Sequence, residues 1–69
     1  MTEANNLLTR RELMILKMVA EGKNNKEIAY SLDISRHTVK LHISEIFKKI
    51  KVNNRVQMSV AAIQKKLIQ

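Results

Sequence analysis

The stretch NNKEIAYSLDISRHTVKLHISEIFKKI at 24–50 constrains the fold most tightly. It holds a short amphipathic helix, a break at Asp33-Ile34-Ser35, and a longer helix with two unlike faces. In the longer helix, read as about Arg36 to Lys49, Val39, Ile43, Ile46 and Ile50 recur at i, i+4, i+7 and i+11. At about 100° per residue they form one narrow stripe, with Phe47 at its edge. The opposite side carries His37, Leu41, Ser44 and Lys48, flanked by Lys40 and Glu45. The stripe reads as core. A side that mixes cations, a hydroxyl and one large aliphatic group suits the floor of a DNA groove better than bulk water.

The flanking segments supply further helices with identifiable ends. Thr9-Arg10-Arg11-Glu12 matches a capping box, and Leu8 and Leu13 on either side fit a hydrophobic staple. The first helix then runs to about Glu21, with Leu13, Leu16, Val19 and Ala20 along its inner side. Gly22 follows at a position that favours a left-handed residue. Asn24 or Asn25 caps the second helix, whose Ile28, Ala29 and Leu32 face inward. Ile34 belongs inside the turn, and Ser35 caps the third helix. Lys51-Val52-Asn53 forms the next connection, and Asn54 caps a fourth helix. There Val56, Val60, Ile63 and Leu67 read as the core stripe. Met58, Ala61, Ala62 and Lys65 lie on the reverse side, where two copies of the chain could pack. The expectation is an all-α, compact four-helix domain over 8–69 with a central helix-turn-helix, behind a flexible lead-in at 1–7.

Composition narrows the function classes. A 69-residue chain makes one domain, and burying only about 60% of its unfolded surface leaves no room for a sizeable substrate cavity. Without cysteine there is no disulfide and no thiolate metal site. One glycine cannot build a phosphate loop. His37 and His42 point in different directions on a helix and have no paired carboxylate or HExxH beside them. No enzyme, cofactor, metal or small molecule is expected, nor a membrane span. A cytoplasmic protein at the bacterial nucleoid is the expected setting. Charge is divided unevenly: residues 1–35 carry five basic and five acidic side chains, and 36–69 carry eight basic and one acidic. The whole net charge of +7 therefore lies in the half that begins with the two-faced helix. That is the footprint of a polyanion binder, although a solvated basic surface would look the same.

The candidate contacts follow from chemistry. Lys26, Arg36, Lys48 and Lys49 can neutralise phosphates, and Asn25, Thr38 and His42 can donate to them. Lys40 can reach guanine O6 or N7, Leu41 can touch a thymine methyl, and Ser44 can donate or accept. The plainer alternatives are a solvated lysine face and a Leu41 that covers a local apolar patch. Glu45, repelled by phosphate, can pair with Lys49 at i+4 or Lys48 at i+3. A protein-interaction module and a sigma region-four-like domain docking RNA polymerase are the rival readings.

Taken together, LTRREL at 8–13, VAEGKNNKEIA at 19–29, LDIS at 32–35, TVKLHISEIFKKIKV at 38–52 and NRVQMSVAAI at 54–63 resemble the LuxR-type helix-turn-helix domain, also called the GerE or NarL/FixJ output domain. The resemblance spans residues 7–68. It implies a four-helix transcription regulator, as in response regulators of two-component systems, that binds inverted-repeat half-sites in double-stranded DNA as a homodimer. Carried over residue by residue, it puts base contacts on Lys40, Leu41 and Ser44. It puts phosphate contacts on Asn25, Lys26, Thr38, His42 and Lys48, a structural role on Glu12, and the dimer helix near Met58, Ala61 and Ala62. Ser44 stands where some relatives carry Lys. Lys65-Lys66 replace a usual glycine, and the chain contains no receiver domain.

Overall fold

Hydrogen-bonded caps set the four helices of the computed structural model, which describes residues 8–65. Helix α1 spans Arg10–Ala20, α2 Asn25–Leu32, α3 Arg36–Ile50 and α4 Arg55–Gln64, with no strand among the described residues. The Thr9 hydroxyl accepts from the Glu12 N–H at 3.0 Å, and the Thr9 N–H donates to the Glu12 carboxylate at 2.9 Å. A second capping box joins Asn24 and Glu27, both bonds 2.8 Å long. Ser35 accepts from the Thr38 N–H, and Asn54 from that of Gln57. Each such cap contributes about 1 kcal/mol.

Three helices end in the same closure. The Lys23 N–H donates to the Met18 carbonyl, that of Ile34 to Ala29, and that of Val52 to Phe47, each at 3.0 Å. The intervening residues Gly22 (φ 91°), Asp33 (φ 56°) and Lys51 (φ 59°) are left-handed. Such a cap reverses the chain within one residue while satisfying carbonyls that the helix end leaves open. At Asp33 the reversal makes the turn of the α2–α3 pair, and half-buried Ile34 plugs it.

The core gathers Ile15, Leu16 and Val19 of α1, Ile28 and Ala29 of α2, and Val39, Ile43, Ile46 and Ile50 of α3. Leu8, just before the first cap, is buried with them, and Leu13 packs at the edge. The third helix packs against each of the others, and α4 lies chiefly on α1. The α3 stripe is buried as the periodicity requires.

The fourth helix is turned the other way round from its expected pose. Met58, Ala61 and Ala62 are buried, while Val56 (73% exposed), Val60 (44%) and Ile63 (64%) face outward. Leu67 lies outside the described residues. Both stripes have helical spacing and both are apolar, so periodicity cannot choose between them. Packing decides. Two alanines let α4 approach α1 closely, and the flexible Met58 side chain fills the remaining space. Branched Val and Ile in those places would hold the helices apart.

Left-handed geometry carries a cost for residues with a Cβ, about 1–2 kcal/mol. Lys51→Gly should therefore raise urea-unfolding stability by about 1 kcal/mol. Gly22→Ala should lower it by a similar amount, about 1 kcal/mol, through backbone strain alone, since a Cβ at Gly22 meets nothing within 4 Å.

Candidate nucleic-acid interface

Because one stripe of α3 is buried, the opposite stripe has to face outward. His37, Lys40, Leu41, Ser44 and Lys48 are all exposed, and Leu41 retains 55% of its accessible surface. Fifteen residues give α3 a length of about 22 Å, against a major groove about 12 Å wide. An exposed Leu beside lysines and a serine offers a methyl contact, two long donors and a short hydroxyl on one surface. The start of α3 adds a field. Its first turn holds no acid and carries Arg36, exposed, so nothing there neutralises the positive helix end. Such an end favours phosphate.

The remaining sequence-derived positions divide into three groups. Lys26, on α2, is exposed. Thr38 and His42 are half-buried along one border of α3, and the Thr38 hydroxyl lies 2.9 Å from that of Ser35. Asn25 opens α2, also half-buried, and its Oδ1 accepts from the Arg55 guanidinium at 2.8 Å. Of the two pairings open to Glu45, the one with Lys48 forms, at 3.5 Å between exposed groups. Its worth is small.

Lys49 stands apart from the other cations taken as phosphate candidates. Its Nζ lies 2.9 and 3.1 Å from the two oxygens of Glu12, a carboxylate only 4% exposed. The reason is angular. Lys49 sits about 80° around α3 from Val39, on the side facing α1, and Lys48 about 180°. The Lys49 stem runs along the core edge and delivers its ammonium inward. Glu12 thus receives the Thr9 N–H and the ammonium together. Burial pushes its carboxyl pKa up, but the Thr9 N–H, the Lys49 hydrogen bond and charge, and the Thr9 hydroxyl outweigh that and hold it below the usual value of 4.5. The pair ties the first turn of α1 to the last turn of α3.

The proposed dimer contacts also need correction. Met58, Ala61 and Ala62 are interior and cannot meet a second copy; Lys65 is exposed just past the end of α4. The outward apolar stripe is Val56, Val60 and Ile63.

Arg55 escaped the sequence reading. It too points inward, with Nη1 on Asn25 Oδ1 and Nη2 on the Lys23 carbonyl, both at 2.8 Å. No local signal singles it out, since Arg36 holds the same first-turn place on α3 and is exposed.

Two helices joined by a tight left-handed turn, the second bare on its outer side, define a helix-turn-helix DNA-binding domain. The chain belongs to the luxR family of bacterial regulatory proteins, whose pattern matches residues 6–67, and forms the DNA-binding domain of such a transcription regulator. It is 49% identical over 61 residues to the transcriptional regulatory protein LiaR of Bacillus subtilis, covering 88% of this chain and 29% of LiaR. It is 45% identical over 62 residues to the nitrate/nitrite response regulator protein NarL of Escherichia coli K12, covering 90% and 29%. The crystal structure of the response regulator ChrA of a heme-sensing two-component system superposes with a TM-score of 0.85 at 41% identity, over 88% of this chain and 30% of ChrA. The chain therefore spans under a third of the length of these relatives.

The Glu12–Lys49 pair sets an acid limit. Because the folded pKa of Glu12 is depressed, its contribution is complete above the unfolded value of 4.5 and fades as pH falls through the lower folded value. Urea unfolding measured from pH 7 to pH 3 should show stability falling below about pH 4.5. Glu12→Gln should lose about 1–3 kcal/mol at pH 7 and flatten that fall.

Proposed function

We propose that α3 lies in the major groove of double-stranded DNA, with Lys40, Leu41 and Ser44 reading base edges. Asn25, Lys26, Arg36, Thr38, His42 and Lys48 hold the phosphates. The observation that carries this reading is the exposed outer stripe of α3, opposite a fully used core stripe. Counterion release supplies much of the affinity, so log K falls with log salt at about −0.9 per neutralised phosphate. The α2 helix then crosses the sugar-phosphate backbone, as in other helix-turn-helix proteins.

We further infer that two copies join through α4, reading half-sites of an inverted repeat. The occupant of the α4 surface is a second copy, docked on Val56, Val60 and Ile63. Three branched aliphatics in one exposed helical stripe support this, as does the modest grip of one small domain on DNA. The domain would serve as the output module of a response regulator acting beside RNA polymerase at a cytoplasmic promoter. The names of NarL and ChrA, both response regulators, and of LiaR, a transcriptional regulatory protein, support the regulator role.

Binding of labelled duplexes across a salt series tests the groove reading. Lys48→Ala should weaken cognate and scrambled DNA alike and reduce the salt slope by about 0.9. Lys40→Ala should in addition cost about 1–3 kcal/mol on the cognate site alone. Lys49→Ala, by contrast, should lower stability and leave the slope unchanged. Equal losses on both DNAs for Lys40→Ala and Lys48→Ala would defeat the division of labour.

The dimer reading has its own test. Val60→Glu should leave the urea midpoint nearly unchanged, because the side chain is at the surface. Binding to a single half-site should be retained, and cooperative binding to the paired site lost. Undiminished cooperativity would remove α4 as the joining element.

A further inference from the structure

Arg55 is a half-buried residue, yet neither ion pair among the described residues involves it. Both of its hydrogen bonds go to neutral acceptors at the entry to α2: Asn25 Oδ1 and the Lys23 carbonyl, each at 2.8 Å. A guanidinium only donates, so it fixes which way the Asn25 amide lies. The oxygen has to face Arg55 and the NH2 has to face away. Among the described residues no group accepts from that NH2. A half-buried side-chain amide is thus held by one end, with its donor end left over, at the first residue of the helix that lies over the DNA backbone.

We propose that Arg55 is a positioning residue of the DNA interface, which locks the Asn25 amide with its NH2 presented to a phosphate oxygen. The inference rests on the groove reading above. In this reading Arg55 acts through Asn25 and not by its own contact with phosphate, because Nη1 and Nη2 are already engaged by Asn25 Oδ1 and the Lys23 carbonyl. The same two-armed bond ties the start of α4 to the α1–α2 connection and the start of α2. It therefore sets the attitude of the backbone-facing helix against the helix that carries the outward apolar stripe. A lysine at 55 keeps the charge but lacks the planar fork that makes both bonds at once.

A double-mutant cycle on duplex binding, run over a salt series with urea stability measured for each variant, tests the proposal. Arg55→Lys and Asn25→Ala should each weaken binding about tenfold, the worth of one hydrogen bond to a charged acceptor. Neither should change the salt slope. In the Asn25→Ala background, Arg55→Lys should have no further effect. A lysine variant that binds like the parent, or losses that multiply in the double variant, would overturn the positioning role. So would a smaller slope in Arg55→Gln, which would mark a direct phosphate contact. The parent protein offers a readout free of folding effects: the Asn25 side-chain amide resonance of 15N-labelled domain should shift on titration with a short duplex. A resonance that stays in place while binding proceeds overturns the positioning role alone. A parent that binds no duplex at all overturns the groove reading with it.

Discussion

The stripe of Val39, Ile43, Ile46 and Ile50 is the constraint on which the rest depends. It gives α3 its place in the core, and α3 packs on each of the other helices. Val39 and Ile46 have no accessible surface left. Replacing Ile46 with alanine would open a cavity on the buried side of the helix that packs on all the others, at a cost of about 2–4 kcal/mol. A rod pinned this firmly along one side cannot roll. Its opposite side, with Lys40, Leu41, Ser44 and Lys48, is thereby fixed outward. Stability and exposure are two consequences of one pattern of residues.

The pattern could be read in α3 because its two sides differ in chemistry. A four-residue apolar stripe against lysines and a serine leaves one solution. In α4 the two sides do not differ. Val56, Val60 and Ile63 on one side and Met58, Ala61 and Ala62 on the other each group on one helical face, about half a turn apart. Hydrophobicity alone ranks the branched stripe higher and selects the wrong side. What decides is helix–helix distance, a property of the α1 surface and not of α4. Caps were legible for the opposite reason, since Thr9, Ser35 and Asn54 act on residues three positions away. Even so, the Asn24–Glu27 box repeats the Thr9–Glu12 pattern and went unread.

Charge was legible in sum and not in direction. Lys48 and Lys49 are neighbours in sequence with the same formal charge. A step of about 100° sends one outward and the other to Glu12, 37 residues away in sequence. No local signal announces such a pair. Arg55 is likewise turned inward, toward Lys23 and Asn25. Two of the cations in the basic half are therefore structural fasteners. Those left around α3, Arg36, Lys40 and Lys48, are exposed. The polyanion footprint is smaller than the sequence total implies, and it is better focused on one side of one helix.

The fasteners share a geometric logic. Glu12–Lys49 joins the beginning of α1 to the end of α3, and Arg55 joins the beginning of α4 to the beginning of α2. Each links segments remote in sequence, where hydrophobic packing alone would tolerate small slides and rotations. Directional bonds do not tolerate them, because a shift of about 1 Å stretches an N–H···O contact beyond its useful range. In the proposed dimer this matters twice. The apolar stripe of α4 sets where the second copy sits, and α3 sets where each copy touches a half-site. Half-site spacing on DNA repeats about every 34 Å along the helix, so any slack between α4 and the groove-facing helices blurs the match. A small core supplies cohesion, and the inward-facing charges supply the registration that cohesion lacks.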